Sequence, residues 1–196
     1  MPFPAPTRRP RNGFFDLIAP FWDALAGRWA AGAVSEALAL SGDQRVLDLA
    51  GGTGRLARLL APHCRQVVVA DLSAPMARRA ARHGLAAARS RAEALPFPGK
   101  SFERVIVVDA LHHMGDLEAV AAEIARVLTP GGLAVLFEPD PASLRGSWIA
   151  RLERWAGFGS LFLPADQLEE LFARQGLTVS LDRRSFHLRL RACKAG

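Results

Sequence analysis

Two carboxylates and a cluster of glycines are the residues of this sequence best suited to grip a small polar ligand. Asp48 heads the run Asp48-Leu49-Ala50-Gly51-Gly52-Thr53-Gly54, and Asp71 ends the apolar run Val67-Val68-Val69-Ala70-Asp71. Gly52-Thr53-Gly54-Arg55-Leu56-Ala57 reads G-x-G-x-x-A, the strand-to-helix turn of a nucleotide-binding βαβ unit. Glycines there let backbone approach a ligand closely and take φ values closed to other residues. Asp71 stands where a carboxylate accepts hydrogen bonds from both hydroxyls of a ribose. In a dinucleotide enzyme the turn faces a pyrophosphate, which wants N–H groups and no carboxylate nearby. Asp48, four residues ahead of Gly52 at the lip of the turn, repels a pyrophosphate and suits a ligand that is cationic at that end.

Acid–base chemistry has a second group of candidates. Asp109 and Ala110 end the apolar run Val105-Ile106-Val107-Val108, and His112 and His113 follow. Switch-point geometry in an open α/β sheet places such residues over the ligand. A histidine beside an apolar face is more often packed than catalytic, but an unperturbed imidazole, with a pKa of about 6.5, suits a general base. Glu138 and Asp140, past the next apolar run, are competing acids, while His63, His83 and His187 read as surface positions. Cys64 and Cys193 match neither a metal-ligand spacing nor a disulfide framework, and no metal is expected.

Alternating strands and helices must position these groups. Periodicity predicts strands at about 45–49, 66–70, 87–91, 104–109 and 132–137, and helices at about 54–61, 74–86 and 117–128. That alternation argues a parallel sheet covered on both faces. Residues 14–40 read as helical, with Phe14, Phe15, Leu17, Ile18, Phe21, Trp22, Leu25 and Trp29 at three-and-four spacing, divided by Pro20 and Gly27. Helices are predicted again at about 142–157 and 165–175. Two period-2 runs, Leu177/Val179/Leu181 and Phe186/Leu188/Leu190, predict an antiparallel hairpin turning at Asp182-Arg183-Arg184.

In type and order these segments resemble the class I S-adenosylmethionine (SAM)-dependent methyltransferases, in the wording of the ubiquinone/menaquinone-biosynthesis C-methyltransferase family. Asp48 to Gly54 is similar to that family's motif I, and Ala92 to Phe102 to its loop between strands 3 and 4. Val105 to His113 is similar to strand 4 and its exit, and Glu123 to Gly132 to the helix and turn leading into strand 5. The resemblance covers residues 14–140 well and the remainder loosely. It implies an α/β, Rossmann-like class I methyltransferase sandwich: a seven-stranded, mostly parallel sheet with a C-terminal antiparallel hairpin and helices on both faces. It further implies one domain over 14–196, with helical cover elements at about 14–40 and 141–165.

The implied cofactor is SAM, with S-adenosyl-L-homocysteine as product. Its ammonium and sulfonium would lie near Asp48, against a backbone wall of Ala50, Gly51, Gly52 and Gly54. Its ribose would sit on Asp71 and its adenine beside Leu72 and Met76. Asp109 and Ala110 complete the cofactor-binding set, and His112 and His113 are the candidate catalytic residues. The sequence departs from the family at Arg91, where relatives place an Asp or Asn that meets the adenine amino group. Arg91 accepts no hydrogen bond. Backbone atoms of Arg91 and Ala92, guanidinium stacking or the Glu93 carboxylate would serve instead.

Methyl transfer from a sulfonium is an in-line displacement with an activated leaving group, so positioning alone supplies about 7–11 kcal/mol. A base is needed only where the acceptor must lose a proton. Asp109-Ala110-Leu111-His112 lacks the Asn/Asp-Pro-Pro-aromatic run of nucleic-acid amino-methylating enzymes, and two scattered cysteines do not suit arsenic methylation. Trp148, Ile149, Leu152, Trp155, Phe158 and Phe162, with the aromatic residues before Ala31, tilt the pocket toward a small apolar or aromatic acceptor. The alternatives are a SAM-binding protein without turnover and an RNA methyltransferase. The latter would use the net charge of +6, but 23 of the 25 basic residues are Arg, a bias of GC-rich coding, and nucleic acid is not an expected partner. Arg8, Arg9 and Arg11 lie in a Pro-rich tail, 1–13, expected to be disordered. The N-terminus lacks the apolar core of a secretory signal, and no apolar stretch reaches the roughly 18–20 residues of a membrane span. A cytoplasmic protein is expected, of unspecified oligomeric state.

Overall fold

A computed structural model describes residues 16–17, 31–155 and 159–196. The expected tail at 1–13, most of the cover segment at 14–40, and residues 156–158 lie outside the described residues. The elements run α1 (Ala31–Ala37), β1 (Arg45–Leu49), α2 (Arg55–Leu60), β2 (Gln66–Asp71), α3 (Ala74–Arg82), β3 (Ala86–Arg89) and β4 (Phe102–Val108). Then follow α4 (Leu117–Val127), β5 (Leu128–Pro139), α5 (Leu144–Trp155), α6 (Ala165–Ala173), β6 (Leu177–Arg184) and β7 (His187–Lys194).

The strands make one seven-stranded sheet in the order β3-β2-β1-β4-β5-β7-β6. All neighbours are parallel except β7, which pairs antiparallel with both β5 and β6. Val46, Leu47, Asp48 and Leu49 of β1 are all buried, as a central strand covered on both faces requires. Alternate residues feed two cores. Leu47, Val105, Val107 and Leu136 pack with Val120 and Ile124 of α4 and Leu168, Leu171 and Phe172 of α6. Val46, Val69, Ile106 and Val135 pack with Val34 of α1, Leu38 just after it, and Ala57 and Leu60 of α2. Because the chain leaves β1 toward β2 and β3 and later returns to β4, the strand order reverses between β1 and β4. The carboxyl ends there open a crevice at the switch point of the sheet.

Several predicted boundaries shift for identifiable reasons. Helix α3 stops at Arg82, since Gly84 follows at φ +81 and closes it in the manner of a left-handed cap. The third strand is 86–89 rather than 87–91. Strand β5 begins at Leu128, because Leu128 already pairs with Phe102 across a register shift before Arg104. The hairpin turns at Ser185-Phe186 and not at Asp182-Arg183-Arg184. Asp182 faces Arg189 across the ladder and accepts hydrogen bonds from Arg189 Nε and Arg184 Nε, both at 2.7 Å. The charged triplet therefore prolongs the strand, and Ser185 takes the left-handed conformation at φ +59. Among the described residues no helix is long and apolar enough to cross a membrane.

Gly54 joins the glycine turn to α2 at φ +76, where an added Cβ would lie 2.3 Å from Leu85 Cδ1 and 3.2 Å from Ala80 Cβ. Gly54→Ala is expected to cost about 1–3 kcal/mol through left-handed strain and overpacking. Urea unfolding would show this as a lower midpoint at unchanged slope. An unaltered midpoint would mean that the turn has room to give.

Candidate active site

The donor side is built from the carboxyl ends of β1 and β2. Asp71 holds the glycine turn to the start of α3: Oδ2 accepts from Gly52 N at 2.8 Å and Oδ1 from Ser73 N at 2.8 Å. An ionised carboxylate offers about four acceptor positions, so two remain for a ligand. Burial, foremost, raises the Asp71 pKa, the two N–H groups oppose the rise, and Asp16 adds to it. Ser73 caps α3 by accepting from Met76 N at 3.3 Å, and its hydroxyl donates to Asp16 Oδ1 at 2.5 Å.

Asp48 lies beneath the turn and not at its lip, at only 2 % exposure. Gly51 permits this, since a Cβ there would sit 2.5 Å from Asp48 Cγ. Burial pushes the Asp48 carboxyl up to about 7, the negative Asp71 adds to the rise, and an Ala57 backbone hydrogen bond opposes it. Asp48 Oδ2 is buried without a hydrogen-bond partner. A buried acid in that condition wants a proton or a cation. That chemistry fits the ammonium and sulfonium end of SAM, and the open positions on Asp71 fit its ribose. Ala50 and Gly52 take left-handed φ values of +58 and +59, so the wall of the turn presents backbone.

The residues expected around the adenine follow the ends of β2 and β3. Met76 is buried and Leu72 half-buried. Arg91 is exposed, with its guanidinium 3.4 Å from Glu93 Oε1, beside half-buried Ala92. The Glu93 side chain is 14 % exposed, and its Oε1 also takes Gly115 N at 3.1 Å, tying the loop after β3 to the loop before α4. Ser90, which the sequence did not single out, donates its N–H to Asp71 O at 3.0 Å and carries a buried hydroxyl without a partner.

A second polar cluster centres on Glu138 at the end of β5. Its carboxylate accepts from Ala110 N at 3.0 Å, Leu111 N at 2.8 Å and His112 Nδ1 at 2.5 Å, which fixes the single turn Leu111–His113. His112 stacks on Phe162 at a 4.4 Å centroid separation. Burial by itself would lower the His112 pKa, but Glu138 and then Glu153 outweigh it and push it up to about 10. His112 is thus an imidazolium between two carboxylates. His113 goes the other way, down to about 4, through burial and then the positive His112. Its Nδ1 lies 3.0 Å from Ser160 Oγ.

Glu153, on α5, is the residue sequence reasoning missed. It lies 3.8 Å from His112 Nε2 and 3.9 Å from His113 Nδ1. Its one signal was being the only acid in an otherwise basic and apolar helix. Among the described residues His112, His113 and Glu153 form the one group able to share a metal ion, with ligand atoms within 4.8 Å of one another. Leu161, Phe162, Leu163 and Leu168 close over the ion pair, leaving a recess of about 10 Å³, room for about one water molecule.

The remaining candidates are committed elsewhere. Asp109 is exposed at φ +50, and its Oδ1 meets His187 Nε2 at 2.9 Å. His187, expected at the surface, has a side chain only 12 % exposed, because β7 sets it opposite Pro139 at the end of β5. Asp140 accepts from Ala142 N and Arg183 Nε, each at 2.9 Å.

Three pH effects follow from these environments. Asp48 keeps its proton to about 7 when folded against an ordinary 3.8, so its contribution to stability is present below 3.8 and is lost as pH rises to about 7. Asp48→Asn is expected to flatten that decline and raise the melting temperature at pH 8, measured without ligand; parallel melting profiles would contradict the buried charge. The His112 contribution is present below 6.5 and lost as pH rises through about 10. That of Glu138, whose pKa is lowered, is present above 4.5 and lost in acid as pH falls through its folded value. Glu138→Gln is expected to cost about 3–5 kcal/mol and to bring the His112 titration down, followed by imidazole NMR. An unmoved titration would release Glu138 from this role.

Residues 47–136 match the model of a methyltransferase domain family, Methyltransf_11. A demethylmenaquinone methyltransferase of Thermus thermophilus is 37 % identical over 143 residues, covering 65 % of this chain and 64 % of that protein. A ubiquinone/menaquinone biosynthesis C-methyltransferase UbiE of Xanthomonas campestris is 36 % identical over 157 residues, covering 74 % of this chain and 59 % of the relative. The chain thus spans less than two thirds of the length of these relatives. Among solved structures, a SAM-dependent methyltransferase of Thermotoga maritima superposes with a TM-score of 0.78 at 20 % identity, covering 93 % of this chain and 98 % of that one. The cyclase SpnF superposes with a TM-score of 0.80 at 20 % identity, covering 97 % of each chain. With the sheet order, these matches give the chain a class I methyltransferase fold whose residues 47–136 form a methyltransferase domain similar to that of the UbiE-named relatives.

Proposed function

We propose that this protein transfers a methyl group from SAM to a small apolar or aromatic acceptor, by C- or O-methylation of the kind that the quinone-named relatives suggest. The observation that carries the reading is the pair of acids at the switch point. Asp71 is gripped by Gly52 and Ser73 yet open to a ribose, and Asp48 is buried with an unpaired oxygen that suits a cation. When bound, SAM supplies an electrophilic methyl on a sulfonium.

The chain's own residues then have three tasks. Asp71 orients the ribose through its remaining acceptor positions. Asp48, above its ordinary pKa while the site holds no cation, ionises when a positive group approaches, so donor binding releases a proton near neutral pH. The His112–Glu138 pair is a positioning device that holds the Leu111–His113 turn at the rim, and His113 stays neutral. Neither histidine has the near-neutral pKa that favours a general base. Positioning therefore carries the main load, and the apolar side chains of Leu161, Phe162 and Leu163 beside His112 favour an acceptor with little charge. That lack of a tuned base is also what favours the second reading, binding without turnover. The fold alone does not choose, since the cyclase SpnF shares it.

Calorimetric titration with SAM, followed by a methyl-transfer assay on a demethylated quinol, tests both readings. Asp71→Ala is expected to weaken SAM binding by about 1–3 kcal/mol, and unchanged affinity would remove Asp71 from the site. His113→Ala is expected to retain turnover with an unshifted pH profile. Loss of turnover at full SAM affinity would make His113 the proton acceptor after all. SAM binding without transfer to any of a panel of aromatic acceptors would leave the second reading standing.

A further inference from the structure

Helix α5 faces two ways. Its inner face carries Gly146, Ile149, Ala150 and Glu153, and its outer face carries Leu144, Trp148, Leu152 and Trp155. The outer four follow at steps of four, four and three residues, which makes one stripe along a helix. They are exposed by 86, 68, 63 and 87 %. An apolar stripe at this spacing ordinarily marks the side of a helix that enters the core. Here rotation into the core is blocked. A Cβ at Gly146 would lie 2.0 Å from the Asp140 carbonyl oxygen, so only glycine lets this turn rest against the end of β5. Glu153, one turn from the other end, faces His112 and His113. Contacts near both ends thus fix the helix with its Trp/Leu stripe outward.

The stripe is flanked by cations. Arg145 lies along one border and Arg151 and Arg154 along the other, and all three are exposed. The helix's one acid, Glu153, is turned inward at 18 % exposure. The guanidinium of Arg145 rests 4.4 Å from the Phe186 ring centroid and continues the basic border onto the β6–β7 turn. Tryptophan and leucine between arginines, with no outward acid, is the pattern of a helix lying in the plane of a lipid interface. There indoles sit at headgroup level and arginines meet lipid phosphates.

We propose that α5 docks this protein flat on an anionic bilayer, with Leu144, Trp148, Leu152 and Trp155 in the acyl boundary and Arg145, Arg151 and Arg154 on the headgroups. The occupant is lipid and not a second copy of the chain, because a self-complementary contact would set these arginine borders against each other without acids to neutralise them. The bilayer would then stand one helix diameter, about 10–12 Å, from the His112–Glu153 pair. The proposal rests on the outward face alone, and it is tested without methyl donor or acceptor, so its outcome is independent of the methyl-transfer reading.

The test is co-sedimentation of the full chain with vesicles of pure phosphatidylcholine and of an equimolar phosphatidylcholine–phosphatidylglycerol mixture. The protein is expected to pellet with the mixture and much less with phosphatidylcholine alone. Trp148→Ser with Trp155→Ser should cut binding to the mixture by about tenfold or more. Arg151→Gln with Arg154→Gln should cut it by about fivefold per arginine, with a far smaller effect on neutral vesicles. Since all four positions are exposed, the melting temperature should hold, and SAM affinity should not change. A parent protein that stays in the supernatant with both vesicles overturns the proposal, as do tryptophan variants that bind like the parent. A dimer in sedimentation velocity that the tryptophan substitutions dissociate, with no vesicle binding, assigns the face to a second copy instead.

Discussion

The buried carboxylate of Glu138 is the constraint on which the turn after β4 and the helix covering it depend. A carboxylate at 6 % exposure is costly to hold ionised unless hydrogen bonds and a counter-charge replace its water. Ala110 and Leu111 supply the N–H groups and His112 supplies the charge. Meeting that demand curls the chain after β4 into a single tight turn and pins it to the end of β5. It also aims His112 Nε2 away from the sheet, toward Glu153 on α5. One satisfied acid thereby sets the turn, the protonation state of His112 and the orientation of the helix covering it.

The donor side solves the opposite problem. Asp71 is satisfied by two backbone N–H groups and keeps acceptor capacity to spare, whereas Asp48 stays buried with one oxygen unpaired and a raised pKa. The negative Asp71 adds to the cost of ionising Asp48, whose burial is the larger part of that cost. A cation at that end relieves both the desolvation and the repulsion. Local instability of this kind is the usual mark of a binding site rather than of a scaffold.

Much of the donor side was legible in the sequence because it is encoded locally. The glycines, the two acids and the apolar runs lie within a single βαβ unit, and each demands a backbone conformation or a strand end that residue type alone reveals. The strands and the C-terminal hairpin were legible from periodicity, while the seven-stranded arrangement followed from the family resemblance and its strand order from the structure alone. The hairpin turn was misplaced because Asp182 and the arginines look like turn residues until Asp182 finds Arg189 across the ladder. The roles of His112, His187 and Glu93 were not legible, since each depends on a partner far away in sequence. Glu138 is 26 residues from His112, Asp109 is 78 from His187, and Gly115 is 22 from Glu93. An unperturbed imidazole pKa was therefore a poor guide to either His112 or His113.

The aromatic stripe of α5 shows a different limit. Periodicity states that Leu144, Trp148, Leu152 and Trp155 share a side of the helix, but it is silent on whether that side faces in or out. The deciding residues are the least conspicuous: Gly146, which lets the backbone touch Asp140, and Glu153, which His112 and His113 draw inward. The polar demand that begins at Glu138 propagates through His112 to Glu153 and turns the large apolar side chains toward solvent. What residue type suggests is pocket lining becomes, by that chain of contacts, an exposed apolar surface bordered by arginine.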